Sequence, residues 1–512
     1  MGLCASLLLP GTSLYAQTSV QRLPNLGDGA EVPLGVERRL GESIAREIYR
    51  DPDYLDDPVL GDYLQGIWQT LLASARQRGE LTAELEQQFA WEVALIRDRS
   101  INAFALPGGY LGVHLGLIAA VGSADELASV LAHELSHVTQ RHIARMISQQ
   151  GRQGPVVIGA MILGMLAASR TANPSSISAA NAVMVGGQAA AMQSQLNFSR
   201  DMEREADRVG YGVMTDAGYE AQGFVTMFEK LQQAARLNDN GSFPYLRSHP
   251  MTTERIADAQ ARQQLLPNKV TAVTTTTHAM MSARAYVLTN PGVDGLRALT
   301  EQASAAPLTT APTPRHAGVL YGAAMAEMKQ RNFAAARQQV QRLQALGGLD
   351  ASALRVVRLL SAELALAAGD AAQAVALLEP KATVLASNDR ATRMLLGQGR
   401  VATQKPAQAK TAASELSLWL SQHSRDASAW LLLASAYEAQ GDALRAIRAQ
   451  AEARAVELDY SAAVDRFKAA QLLAHQLAAE GKLNPAGHVE ASIIDARLRT
   501  LENLRREQAL ER

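Results

Sequence analysis

The sequence predicts a mainly α-helical chain: a helical domain carrying a small β-sheet, followed by an α-solenoid of short helical repeats. Three observations carry this. The composition is rich in Ala and poor in aromatic residues, at 5%, which favours helices. Apolar residues recur at three- and four-residue spacing from Gly35 onward, as in Leu40, Ile44 and Ile48. From about Arg315 the chain becomes continuously helical and repeats itself. With 512 residues it is too long for one core, so two or three domains are expected. Apolar residues at 47% and charged residues at 19% read as soluble and globular. A net charge of −1 gives no basic footprint for nucleic acid.

Met1 to Ala16 holds an apolar stretch, a Pro-Gly break and a small residue at Ala16. It resembles the core and cleavage site of a secretory signal, without the usual basic start, so the true start lies upstream of Met1 on this reading. Cleavage there would remove Cys4, the only cysteine, and leave any metal to His and carboxylate ligands. Residues 17–36 read as a loose lead-in. Leu60, Leu64, Ile67 and Leu71 mark a second helix, and Trp91–Arg97 is a strand candidate. Ile101–Gly116 places a Pro-Gly-Gly turn between two apolar runs, as in a hairpin or a pair of short edge strands. Ser123-Ala-Asp-Glu126 matches a capping box, and the helix it opens is expected to continue through Met146. A further helix covers Asn197 to Gly218. Pro155–Ser169 and Ser178–Met192 are strongly apolar but too short to span a bilayer. They read either as buried segments near a core or as an apolar flap by the active site or against a membrane.

Leu265 to Ala306 weakens in pattern and reads as a connector. Beyond it, Ala336, Ala374, Ala409 and Ala446 sit in similar contexts at spacings of 38, 35 and 37. These are close to the tetratricopeptide period with short insertions, each unit being a helical hairpin that needs neighbours to bury its apolar face.

His133-Glu134-Leu135-Ser136-His137 is an HExxH motif within a predicted amphipathic helix. Positions i and i+4 share a face, so both imidazoles can reach one ion, with Glu134 beside them as general base toward a metal-activated water. A zinc peptidase needs a third protein ligand and an open fourth position. Glu203 supplies it, in Asp201-Met-Glu203-Arg-Glu205-Ala-Asp207. Of Glu203 and Glu205, only Glu203 has a carboxylate at i+4 on its own face. Asp207 is then placed to accept the outer N–H of a ligating imidazole. His249, before Pro250, lies in extended or turn backbone suited to reaching over a cleft. It is expected to contact the oxyanion or to occupy the metal's fourth position at rest, with Arg255 orienting a carboxylate nearby. His142, five residues beyond His137, turns off the ligand face and reads as supporting or structural. An edge strand at Asn102–Tyr110 would pair with an extended substrate backbone.

The segments NAFALPGGYLGV, VLAHELSHVTQRH, EREAD and SHPMTTERI resemble the M48 metallopeptidases. The layout is similar to exported members with C-terminal tetratricopeptide repeats. The resemblance covers nearly the whole chain from about Leu34, and its motifs are specific in the first half and weaker in the repeats. It implies a zincin-like metallopeptidase domain at 17–270, after a signal peptide at 1–16, then a connector at 271–314 and tetratricopeptide-like repeats at 315–512. It implies one Zn2+ per chain on His133, His137 and Glu203, Glu134 as base, Asp207 as the aspartate following the third ligand, and His249 near the metal as a gate. It also implies a periplasmic endopeptidase acting on unfolded or stalled outer-membrane β-barrel proteins, partnered through its repeats with the barrel assembly machinery and in peripheral contact with the membrane. The competing reading is a chaperone or adaptor whose repeats cradle such clients, with proteolysis minor or gated. A purely structural zinc site is disfavoured, since those are usually closed and thiolate-rich.

Overall fold

The computed structural model describes residues 32–149, 200–236, 245–264, 273–305, 313–382 and 389–510. The signal-like segment Met1–Ala16, the start of the lead-in and the apolar runs Pro155–Ser169 and Ser178–Met192 lie outside the described residues. No described helix is long and apolar enough to cross a membrane.

The first half packs helices around a small sheet. Helix α1 (Leu34–Arg50) leads through β1 (Tyr54–Leu55) to α2 (Pro58–Gln77). Asp57 caps α2 by accepting the Leu60 N–H, with proline in the first turn where no N–H is needed. The predicted stripe Leu60, Leu64, Ile67 and Leu71 is its buried face. After α3 (Ala83–Gln88) come β2 (Glu92–Ile96), β3 (Ala103–Leu106) and β4 (Tyr110–His114). Their order is β1-β2-β4-β3. The β3–β4 pair is the expected antiparallel hairpin, with Ala105 opposite Leu111. Its turn places Gly108 at φ +72°, a conformation costly for residues with a Cβ. β4 is buried throughout and β3 is left at the edge of the sheet.

Short α4 (Leu115–Ala120) leads into α5 (Ala124–Thr139). Ser123 caps it by accepting the Glu126 N–H at 3.2 Å, while the Glu126 carboxylate accepts the Gly122 N–H. The cap is thus a capping box shifted by one residue on its return arm. The helix does not run on to Met146. It closes with the Arg141 N–H on the Val138 carbonyl, and Arg141 takes φ +54°. A separate helix, α6 (His142–Gln149), starts there on a new axis. Four more helices complete this half: α7 (Arg200–Asp216), α8 (Gln222–Arg236), α9 (Tyr245–Ser248) and α10 (Thr253–Gln264).

The stretch expected to be a connector contains two helices, α11 (Thr276–Leu288) and α12 (Gly292–Ala305). The small polar run there hides the fact that Met280, Met281, Ala285 and Val287 are buried. Hairpins follow: α13 and α14 (Pro314–Lys329, Phe333–Gln344), α15 and α16 (Ala351–Ala367, Ala371–Ala382), α17 and α18 (Arg390–Ala402, Pro406–Gln422), α19 and α20 (Ala427–Glu438, Ala443–Val456). Helices α21 (Tyr460–Ala479) and α22 (Pro485–Leu510) end the array. Each of the four hairpins turns on one left-handed residue, Arg331, Gly369, Gln404 and Gly441. Each of these lies five positions before one of the aligned alanines, and all four alanines are buried. The repeat alignment thus corresponds to one recurring turn and one recurring packing position.

Two kinds of contact tie the array to the first half. One buried apolar cluster runs from α2 and α5 through Met280 and Met281 to Leu396 on α17. Arginines at a 35-residue period, Arg355, Arg390 and Arg425, reach acidic groups of the first half. Arg355 meets Asp62 at 2.7 Å, Arg390 meets both oxygens of Asp56 at 2.9 and 2.6 Å, and Arg425 meets Glu92 at 2.9 Å. Fully buried Arg284 on α11 bonds both oxygens of Asp57 at 2.8 and 2.7 Å and both of Glu363 on α15. Removing one partner of a buried pair strands the others, so Arg284→Met should cost on the order of 3–5 kcal/mol. Arg425→Ala, at a half-exposed pair, should cost about 0–1 kcal/mol. Denaturant midpoints check this. Equal shifts for both would mean that burial does not set the strength of these ties.

Candidate metal centre

His133 and His137 stand one turn apart on α5, both buried, with their Nε2 atoms 3.0 Å apart. Glu203 faces them from α7, its oxygens 3.6 Å from His133 Nε2 and 3.5 Å from His137 Nε2. His249, just after α9, brings Nδ1 to 3.3 Å from His133 Nε2 and 3.0 Å from Glu203. One donor atom from each of these four buried residues lies within 4.8 Å of all the others. Four donor atoms of this chemistry converging so closely fit one metal ion.

What lets α7 come so close is Gly210. Glu203, Asp207 and Gly210 share a helix face, and a Cβ on Gly210 would sit 3.0 Å from backbone atoms of Ala132 and His133. Behind the donors, Asp207 Oδ1 lies 2.9 Å from His133 Nδ1. Arg255, from α10, clamps Asp207 with Nε and Nη2 at 2.6 and 2.8 Å, and its Nη1 lies 2.7 Å from Glu203. Glu134 is fully buried: its Oε2 accepts the Ala105 N–H of edge strand β3 at 2.9 Å, and its Oε1 is 3.4 Å from His249 Nε2.

The electrostatics follow from burial. Burial pushes the Glu134 pKa up, against the pull of His249 and His133. Burial and neighbouring imidazoles push His137 down, so it is neutral and able to ligate. Burial opposes a charge on His249, but Glu134 and Glu203 outweigh it and raise its pKa. Burial would raise Asp207 too, but its bonds from Arg255 hold it at about 2. Glu134, Glu203 and Asp207 face one guanidinium, Arg255, and the His249 imidazole whose pKa they raise, so negative charge is in excess and a divalent cation would balance it.

The structure therefore brings together all six residues singled out from sequence: His133, Glu134, His137, Glu203, Asp207 and His249. Arg255 joins them through two carboxylates. Sequence reasoning missed Gly210, whose signal was a glycine inside a helix on the ligand face. It also missed Tyr245, which stacks on His249 at 4.5 Å and is linked to it by the His249 N–H on the Tyr245 carbonyl. His278 is far from this group and bonds Tyr63 and the Val121 carbonyl, in keeping with a structural role.

A short-spaced histidine pair with a glutamate between them, completed by a glutamate from a second helix beside an edge strand, defines the site of an HExxH metallopeptidase domain. Residues 66–263 match peptidase family M48, and this domain of the chain belongs to that family. The chain is 35% identical over 267 residues to a putative beta-barrel assembly-enhancing protease of Vibrio cholerae, an alignment spanning 52% of either chain. It is 28% identical over 525 positions to the beta-barrel assembly-enhancing protease of Yersinia pestis, covering 98% of this chain and 97% of that one. It is 26% identical over 262 residues to the mitochondrial metalloendopeptidase OMA1 of Saccharomyces cerevisiae, covering 49% of this chain and 71% of that protein. The chain thus spans about half the length of the Vibrio cholerae relative and of its Escherichia coli counterpart.

Gly210→Val should spread α7 from α5 and lower metal affinity by about tenfold or more, since such sites tolerate displacements of only about 0.5 Å. Gly212→Ala meets only the movable end of Arg78 and should bind metal normally. Competition with a chromophoric chelator distinguishes them, and equal affinities would refute a role for the close approach.

Proposed function

We propose that the chain is a zinc-dependent endopeptidase that hydrolyses unfolded or stalled outer-membrane β-barrel proteins in the periplasm. The observation that carries the reading is the donor set. Tetrahedral ligands about 2.0–2.1 Å from zinc stand roughly 3.3 Å apart; five of the six pairs among His133, His137, Glu203 and His249 approach to between 3.0 and 3.6 Å, taking either oxygen of Glu203, and all four donors lie within 4.8 Å of one another. His133, His137 and Glu203 would hold the ion. Bound zinc supplies Lewis acidity toward the scissile carbonyl and the attacking water.

The chain's own residues do the rest. Glu134 takes the proton of the attacking water and returns it to the leaving amine. Its raised pKa suits that task, and the Ala105 N–H fixes the carboxylate on the strand side. Among the described residues no strand pairs with the outer side of β3, and beside the Ala105 N–H held by Glu134 that edge is read as the place for an extended substrate backbone, which gives affinity without close reading of sequence. Asp207 and Arg255 hold His133 and Glu203 in register. His249 fills the fourth donor position and touches Glu134, so substrate entry requires it to move; this makes it a gate.

The substrate class rests on the relatives, whose names describe proteases that enhance β-barrel assembly. The helical repeats are read as tetratricopeptide-like and as the surface for clients and for the barrel assembly machinery. The signal-like Met1–Ala16 agrees with export.

Glu134→Gln should keep bound zinc and lose roughly a hundred- to ten-thousand-fold in cleavage of an unfolded barrel protein. His249→Ala should cleave faster than wild type. Metal analysis and gel-based cleavage check both. Full activity in Glu134→Gln would overturn the assignment of the base, and lost cleavage in His249→Ala would make that histidine part of the chemistry.

A further inference from the structure

The two ligating histidines are supported differently. His133 turns its outer nitrogen, Nδ1, directly to the Asp207 carboxylate. The outer nitrogen of His137 instead faces another imidazole: His137 Nδ1 is 2.8 Å from Nδ1 of fully buried His142. His142 Nε2 is in turn 3.1 Å from Glu205 Oε2, which lies 2.8 Å from Arg145 Nη1. On an unbroken helix His142 would lie about 140° round the axis from His137. The left-handed turn at Arg141 brings it back beneath the ligand.

We propose that His142 and Glu205 form a positioning relay for His137. The inference rests on the metal-site reading above. The tautomers follow from one requirement. If His137 offers the Nε2 lone pair to an ion, its proton is on Nδ1 and is donated to His142 Nδ1. His142 must then accept at Nδ1 and carry its own proton on Nε2, which it donates to Glu205. The Glu205 carboxylate thus reaches His137 through an interposed ring, oriented from outside by Arg145. Such outer partners fix ring orientation and raise ligand basicity, and their loss typically weakens metal binding about 10- to 100-fold. Glu205, set aside as a ligand, acquires a role one step further out. His142 touches neither substrate nor the reacting atoms and is a positioning residue.

The test uses the full chain as wild type, His142→Phe, His142→Asn and Glu205→Ala. It measures zinc affinity by chelator competition, the visible spectrum of the cobalt-loaded protein, and melting of the metal-free form. Phe keeps the ring and removes both nitrogens. Asn returns an acceptor oxygen near the place of Nδ1. His142→Phe should bind zinc about 10- to 100-fold more weakly with an altered cobalt spectrum. His142→Asn should recover most of the affinity while melting, metal-free, like the Phe variant. Unchanged affinity in His142→Phe would overturn the relay, and equal losses in Phe and Asn would show that packing rather than the hydrogen bond matters. If the Phe variant does not fold, half-exposed Glu205→Ala carries the test, with a several-fold loss expected and none overturning the proposal. Absence of zinc binding by wild type would instead refute the metal-site reading beneath it.

Discussion

The close approach of α7 to α5 at Gly210 is the constraint on which the rest depends. It sets Glu203 opposite the two imidazoles of α5 and lets Asp207 reach the back of His133. A side chain at that point would press on the backbone of Ala132 and of His133, itself a ligand. Everything else at the centre is fitted around this contact. Arg255 arrives from α10 to bridge the two α7 carboxylates. Strand β3 supplies the Ala105 N–H that pins Glu134, and His249, held by Tyr245, closes the remaining side.

Such a cluster is expensive to bury unless its charges are matched. Three carboxylates outnumber the Arg255 guanidinium and the His249 imidazole together. The imbalance has a direct reading: the group is built for a dication. It also bears on the gate proposed at His249. While His249 lies against both Glu134 and Glu203, it offsets part of that negative charge and occupies the position a substrate oxygen would need. Resting stability and access are therefore opposed at one side chain. The repeat array attaches to the same domain from α2 and β2, through buried Arg284 and the arginines at 35-residue spacing. Among the described residues β3 lies at the opposite edge of the sheet, the side where Glu134 is held.

Much of this was legible in the residues. HExxH fixes its own geometry because four residues make one turn, and Glu203 with Asp207 obeys the same rule. The Pro-Gly-Gly turn, the Leu60–Leu71 stripe and the Ser123 cap are local signals, and each became the expected local structure. The repeat period was visible because each hairpin reuses one turn and one small buried residue. What was not legible depended on contacts across the fold or on unmarked backbone. The break at Arg141 uses no glycine or proline, so α5 read as continuous and His142 seemed to face away. Helices α11 and α12 were hidden by their small polar residues, since their burial is decided by α4 and α13 rather than by their own amphipathicity. Arg284, Arg355 and Arg390 carry no local signal of their ties, because their partners lie more than two hundred residues earlier.

The most direct test of the central claim is X-ray absorption at the zinc edge of the resting, full-length protein. A single zinc per chain with four ligands, three of them imidazole nitrogens and one a carboxylate oxygen at about 2.0–2.1 Å, is the result expected if His133, His137, Glu203 and His249 converge on the ion. Two imidazoles with extra oxygen ligands would mean that His249 is not in the resting coordination. Sulfur ligation, a shell of oxygens alone, or no stoichiometric metal would contradict the metal centre itself.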